Sequence, residues 1–180
     1  MNQVSTLGAM NRNGGFTLVE LMVTLAIAAI VLTIAVPSFW SIVQNNRAST
    51  QANELITALN LARSEAVKRG LPVSICPSSN QTACVASSTN WAVGWIVFVD
   101  LNNDGVRQTT EPLVRVWGPL SGGATLTGPA NIRYQGTGGL PGTAAPAPFQ
   151  HRVSGCSGNQ GRDITLNLTG RASVTTVPCS

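Results

Sequence analysis

The sequence has few ionisable side chains. Only 10% of its 180 residues are charged, and it contains a single histidine. One histidine leaves little material for a metal site or a Ser-His-Asp arrangement, and no segment resembles a nucleophile elbow or a pair of catalytic carboxylates. The chain is also 43% apolar with a formal net charge of only +4, whereas disorder requires low hydrophobicity and high net charge. We therefore expect a folded protein that is not an enzyme.

The length and the turn-forming residues indicate the kind of fold. A chain of 180 residues is long enough for one domain with an appendage. Its 18 glycines and 10 prolines place much of the chain in turns. The composition thus predicts a loop-rich β domain that carries one strongly apolar segment.

The apolar segment lies near the N-terminus, between Phe16 and Val36. As a helix this stretch is about 31 Å long, which matches a bilayer core of about 30 Å. A secretory signal peptide is the alternative, because Arg12 precedes the run and Ala26-Ile27-Ala28 resembles a cleavage site. Glu20 argues against it, since a carboxylate in an apolar run costs about 3 kcal/mol unless it is partnered.

The residues around Glu20 form a longer motif. The run Gly14-Gly15-Phe16-Thr17-Leu18-Val19-Glu20-Leu21, followed by the apolar segment, resembles the N-terminus of type IV prepilins and pseudopilins. The resemblance implies that a prepilin peptidase cleaves between Gly15 and Phe16 and that the new Phe16 amine is methylated. It also implies that the helices assemble with those of major and minor pilins. In that family, the carboxylate at the position of Glu20 pairs with the N-terminal amine of a neighbouring subunit.

This resemblance gives a domain organisation. We expect a cleaved leader at residues 1–15, a transmembrane and filament-core helix at 16–46, and a periplasmic pilin-like β domain at 47–180 with helix to about residue 70. A stripe of apolar residues at alternating steps of four and three predicts that the helix continues into the domain and packs on a sheet. The stripe consists of Ala48, Ala52, Leu55, Leu59, Ala62 and Ala66.

Beyond the helix, short apolar runs between turn clusters predict seven strands. They are 72–76, 91–100, 112–117, 131–134, 149–153, 163–168 and 171–177. The segment Gly136–Pro148 is rich in glycine and proline and has no charge, so we expect a mobile surface loop that buries little.

The four cysteines are Cys76, Cys84, Cys156 and Cys179. An even number in an exported domain favours two disulfides, for which three connectivities exist. Pairing each cysteine with its nearer neighbour, Cys76 with Cys84 and Cys156 with Cys179, requires the least rearrangement of the strands. Zinc is the rival interpretation, but the spacings lack a C-x-x-C pair and only His151 could assist.

The run from Trp91 to Trp117 carries a second resemblance. It is similar to the central hairpin of the GspH/FimT family of minor pilins and pseudopilins. The family implies an α+β fold of the type IV pilin kind, with a long N-terminal helix, transmembrane in its first half, packed on antiparallel β-sheets. It also implies an inner-membrane location with a single pass, followed by assembly into a pilus or pseudopilus.

The turn of that hairpin contains a pattern typical of calcium loops. Asp100, Asn102, Asp104 and Glu111 fit D-x-N-x-D-G-x5-E, whose oxygen atoms can surround a hard cation. The flanking segments are predicted strands rather than helices, and Asp, Asn and Gly are ordinary turn residues. We therefore favour a plain turn and no cofactor, with calcium as the alternative.

The C-terminal part is rich in arginine. Residues 101–180 contain six arginines and three acids, and the arginine fork suits phosphate. FimT-like proteins have a Gly-Arg-x-Arg motif associated with DNA capture. Here Gly170-Arg171-Ala172-Ser173 retains only the first arginine, and Arg162 could compensate from the preceding strand. Scattered arginines that solvate a charge-poor domain are the alternative.

These observations predict a minor pilin, a structural subunit of a type IV pilus or of its tip complex, with DNA as a further partner. The alternative is a pseudopilin of the type II secretion system, because the N-terminus and the hairpin fit both systems equally well.

Overall fold

The computed structural model describes residues 15–179, so the predicted leader lies outside the described residues except for Gly15. Within this range one helix is followed by eight strands. The chain divides into two compact units, of which the first ends at Trp40 and the second begins at Ser41.

Helix α1 spans Leu18–Arg69. Glu20 in the first turn and Lys68 and Arg69 in the last turn complement the helix dipole. The helix ends at Gly70, whose φ of 64° is the left-handed conformation that favours glycine after a helix. In the second unit, all six residues of the predicted stripe are buried, which confirms that this part of the helix packs on the sheets.

Eight strands form two antiparallel four-stranded sheets. Sheet A has the order β3-β2-β1-β5 and sheet B the order β4-β6-β7-β8. The strands are β1 (Val73–Pro77), β2 (Trp95–Val99), β3 (Leu113–Trp117), β4 (Thr125–Thr127), β5 (Ile132–Tyr134), β6 (Phe149–Arg152), β7 (Gly161–Leu166) and β8 (Ala172–Val177). The sequence-based assignment missed β4, which has three residues and only one buried side chain, Leu126.

One core joins the helix to both sheets. The inward side chains of Ala62, Val97 and Ile164 belong to the same buried cluster, although they come from α1, sheet A and sheet B respectively. Trp91 extends this core, because its ring meets Phe149 edge-on at 4.9 Å and its Nε1–H donates to the Pro129 carbonyl at 2.8 Å. All the described residues of this core belong to the second unit.

A second, smaller cluster covers the outer face of sheet A. Cys76, Ile96 and Phe98 are buried there, and Cys84 packs against them. The structure joins Cys76 to Cys84 and Cys156 to Cys179, so each cysteine pairs with its nearer neighbour. The first disulfide holds the segment after β1 over this face, which explains why every residue of β1 and β2 is buried.

The prediction of a mobile loop at 136–148 is wrong for the first half of this segment, which packs against the helix and the turn after β7. Leu140 is 9% exposed, and its N–H donates to the Leu168 carbonyl at 2.9 Å. Arg63 of α1 donates from Nε to the Gly138 carbonyl at 3.0 Å. Glycine allows this approach, because a Cβ at Gly136 would lie 2.7 Å from the Gly70 carbonyl oxygen. The second half of the segment is mostly exposed, as expected.

We predict that Gly170→Ala destabilises the fold more than Gly142→Ala does. Both glycines have positive φ, 79° and 95°, so each alanine costs about 1 kcal/mol of backbone strain. A Cβ at Gly170 would also contact the Gly138 carbonyl and lie 3.0 Å from Tyr134 Cε1, whereas nothing lies within 4 Å at Gly142. This crowding adds about 1–3 kcal/mol for Gly170→Ala.

Urea unfolding of the detergent-solubilised chain, followed by tryptophan fluorescence, measures both changes. Equal losses of stability in the two variants would contradict the docking of this segment.

Candidate functional site

The N-terminus of α1 is closed by a side-chain cap. The Thr17 Oγ1 accepts a hydrogen bond from the Glu20 backbone N–H at 3.2 Å, and the Thr17 carbonyl accepts one from the Leu21 N–H at 3.1 Å. A threonine followed three residues later by glutamate is the spacing of a capping box. The sequence analysis missed this signal, which explains why the helix begins at Leu18.

The predicted processing and assembly residues lie together at this end. Gly15 and Phe16 directly precede the cap, and Glu20 lies in the first helical turn with its side chain exposed. A carboxylate here is favoured by the helix dipole, which supplies about 0.3–1 kcal/mol. The cap uses only the backbone N–H of Glu20, so the exposed carboxylate stays open to a further partner.

The first unit presents an unburied apolar surface. Every described side chain from Phe16 to Val36 is exposed, and Phe16 itself is 83% exposed. By length and composition, the helix that starts at Leu18 could cross a membrane. A continuous apolar surface of this size marks a site of membrane or protein contact.

Arg162, a predicted DNA-binding residue, is instead buried against α1. It is 7% exposed, and its guanidinium donates to Asn45 Oδ1 at 2.6 Å and to Ser49 Oγ at 3.3 Å. It also donates to the Gly161 carbonyl at 2.9 Å. These contacts hold β7 to the helix, and the burial of Arg162 does not favour the predicted phosphate contact.

Arg171 lies at the other end of the same hairpin. β7 and β8 pair so that Arg162 lies opposite Thr176 and Leu166 lies opposite Ala172. Four residues of strand, about 13 Å, therefore separate Arg162 from the end at which Arg171 enters β8. Arg171 is exposed after the turn at Gly170. This separation does not favour a single phosphate site formed by both arginines.

A second buried polar contact between α1 and sheet B, from Gln51 to His151, was not predicted from the sequence. The Gln51 Nε2 donates to the Ser121 carbonyl at 3.0 Å, so its Oε1 is left as the acceptor for His151 Nε2 at 2.9 Å. This fixes the neutral histidine with its proton on Nε2. Burial, together with the nearby charges of Arg152 and Arg162, lowers the pKa of His151 to about 4.

The calcium-like segment hydrogen-bonds to its own backbone. Buried Asp100 accepts from Ser74 Oγ at 2.6 Å and from the Gly105 N–H at 3.0 Å. Buried Glu111 accepts from the Leu101 and Gln108 N–H groups at 2.8 and 2.9 Å. In the described part of the chain, no three His, Cys, Asp or Glu residues are grouped so that they could hold a metal ion. These contacts are those of a self-supported turn.

The comparisons with known proteins agree with this architecture. A family model described as type II transport protein GspH matches residues 51–170, and a model described as a prokaryotic N-terminal methylation motif matches residues 10–36. A fimbrial protein of Neisseria meningitidis is 34% identical over 95 residues, and the type IV major pilin protein PilE of Neisseria gonorrhoeae is 33% identical over 95 residues. Each alignment covers 53% of this chain and 54% of the relative, so the chain spans about half the length of these curated relatives.

Two crystal structures of the type IV minor pilin FimU of Pseudomonas aeruginosa have a similar fold. One has a TM-score of 0.58 and covers 75% of this chain and 96% of its own, and the other has a TM-score of 0.54 and covers 73% and 99%. Sequence identity is 19% in both cases, so the likeness concerns the fold alone.

We predict that the stability of the fold decreases as the pH falls below about 6.5, the pKa of a free histidine. Because folding lowers the pKa of His151 to about 4, the unfolded chain binds its proton first, and up to about 3 kcal/mol is lost between these two pH values. Above pH 6.5 this contribution is fully present.

Urea unfolding at several pH values is measured for the natural chain and for His151→Gln. The difference between the two profiles separates the contribution of His151 to the pH dependence of stability from that of the carboxylates. The variant should lose less stability on acidification. Parallel pH profiles for the two proteins would contradict the assignment.

Proposed function

We propose that this chain, which belongs to the GspH/FimT family of minor pilins and pseudopilins, is a minor structural subunit of a type IV pilus. The observation that supports this best is the first unit, in which an apolar helix has every described side chain from Phe16 to Val36 exposed. Such a surface is stable only in a membrane or against other apolar helices. Before assembly such a helix would lie in the membrane, and in a filament it would pack against the helices of other subunits.

In this proposal the precursor is anchored in the inner membrane by a single helix, with the second unit in the periplasm. A prepilin peptidase removes residues 1–15, and the new Phe16 amine is methylated. The match of the N-terminal methylation motif to residues 10–36 supports this processing. Other major and minor pilins are then the partners of the helix.

The alternative is a pseudopilin of the type II secretion system, which the description of the matching family model favours. The similarity to two Neisseria pilins over 95 residues favours the pilus. Deletion of the gene separates the two: loss of pili with normal secretion supports the proposal, and loss of secretion with normal pili supports the alternative.

We predict that Glu20→Ala is processed normally but enters filaments poorly. Apolar surroundings make an unpaired carboxylate costly, by about 3 kcal/mol, so Glu20 favours a neighbour that offers a cation, such as a free N-terminal amine. Glu54→Ala is the matched control, because Glu54 is an exposed glutamate on the same helix but in the second unit.

The measurement is the ratio of each variant in sheared filaments to that in membranes, with leader removal checked by mass spectrometry. Equal incorporation of Glu20→Ala and Glu54→Ala would exclude the pairing role of Glu20.

DNA capture is a second candidate function, supported by the exposed Arg171 beside Gly170. We predict that Arg171→Gln weakens binding of labelled duplex DNA and reduces its salt dependence, because one phosphate contact is lost. Arg162→Gln should instead lower the unfolding temperature, since Arg162 is bonded to α1. Absence of DNA binding by the natural chain at low salt would leave a purely structural subunit.

A further inference from the structure

We propose that the outer edge of β8 is the docking site for an extended strand of another membrane-anchored subunit. β8 is the terminal strand of sheet B and pairs with β7 on its inner side. An edge strand presents backbone N–H and C=O groups that can pair with another chain. This inference rests on the proposed function, since it treats the chain as one subunit of a larger assembly.

The other three sheet edges carry features that discourage such pairing. β3 contains a bulge and the charged Arg115. β5 has three residues and carries Arg133. β4 also has three residues, and Asn90 bridges to its Thr127. Short length, charge and bulges are the usual means of protecting an edge.

β8 has none of these features. It pairs with β7 in a regular register over six residues, from Ala172 opposite Leu166 to Val177 opposite Gly161. Its sequence, ASVTTV, has no charge and no proline. Val, Thr and similar residues favour a strand that is open to pairing. Among the described strands, β8 is thus the edge best suited to accept another strand.

The core also stops short of β8. Val174 lies opposite Ile164, so the two side chains project from the same face of sheet B. Ile164 is fully buried, whereas Val174 is 43% exposed. The core therefore covers this face of sheet B at β7 but leaves it partly open at β8. An added strand would bring side chains that cover Val174 in addition to pairing with the backbone.

The size of this edge indicates what kind of partner it fits. A six-residue strand is about 20 Å long. A contact along one such strand buries less surface than the about 1,200–2,000 Å² that stable complexes bury. A freely diffusing protein would bind weakly. A subunit held in the same membrane by its own helix is present at a high effective concentration, which compensates for the small interface.

The same features define the chemistry of the incoming segment. Because β8 offers no charge, a charged side chain facing Val174 would be buried without a partner. The fitting occupant is an uncharged extended segment with small or β-branched side chains, contributed by the globular unit of a neighbouring subunit.

The test places a photo-reactive side chain at position 175 or, as a control, at position 127 of the full-length chain in its native membranes. Thr175 and Thr127 are exposed threonines on the two edge strands of the same sheet. We expect about tenfold more adduct from position 175, because the edge of β8 is open to pairing whereas that of β4 is short and bridged by Asn90. Mass spectrometry should place the adduct in an extended segment of another helix-anchored subunit.

Val174→Lys in the same chain should reduce the adduct from position 175 by about tenfold, because lysine protects edge strands. The fold should survive, since Val174 is partly exposed, and tryptophan fluorescence checks this. Equal adducts at the two positions, an adduct with a second copy of this chain or with a partner helix, no adduct, or no effect of Val174→Lys would each overturn the inference.

Filament content is measured separately on the unmodified chain. If the chain is absent from filaments, the proposed function fails, while the adducts formed in the membrane still decide whether β8 pairs with a neighbour.

Discussion

The fold depends on the packing of one helix against two sheets at once. Sheets A and B are separate hydrogen-bonded structures, and the buried cluster that includes residues of both is centred on the small side chains of α1. Ala58, Ala62 and Ala66 are fully buried, and their small size lets both sheets approach the helix backbone. Larger residues at these positions would separate the sheets, and overpacking of this kind costs about 1–3 kcal/mol per site.

Two polar bridges then set the orientation of sheet B. Arg162 joins β7 to Asn45 and Ser49, and His151 joins β6 to Gln51. Apolar packing is non-directional, so it does not by itself fix how a sheet is rotated on a helix. Hydrogen bonds between buried groups do, because a buried polar group without a partner costs about 1–3 kcal/mol. The three helix residues, Asn45, Ser49 and Gln51, occupy two successive turns near the start of the second unit.

The sequence predicted those parts of the fold that local patterns determine. The alternating steps of the apolar stripe identified the buried face of α1, and turn residues separated seven of the eight strands. β4 was missed because three residues with one inward leucine give no periodic signal, and its strand character comes from pairing with β6. The burial of Arg162 and the docking of Gly138 were missed for a related reason: both depend on α1 side chains more than 70 residues away in sequence.

The buried polar groups of the second unit explain why its functional chemistry lies at the surface. Asp100, Glu111, His151 and Arg162 are the kinds of residue from which catalytic or metal sites are built, yet each is hydrogen-bonded to a loop backbone or to the helix. These hydrogen bonds and the burial of the four side chains give each of them a structural role in the fold. The apolar helix of the first unit and the uncharged edge of β8, by contrast, are exposed. Both are suited to association with other chains, as expected in a family whose members are structural subunits.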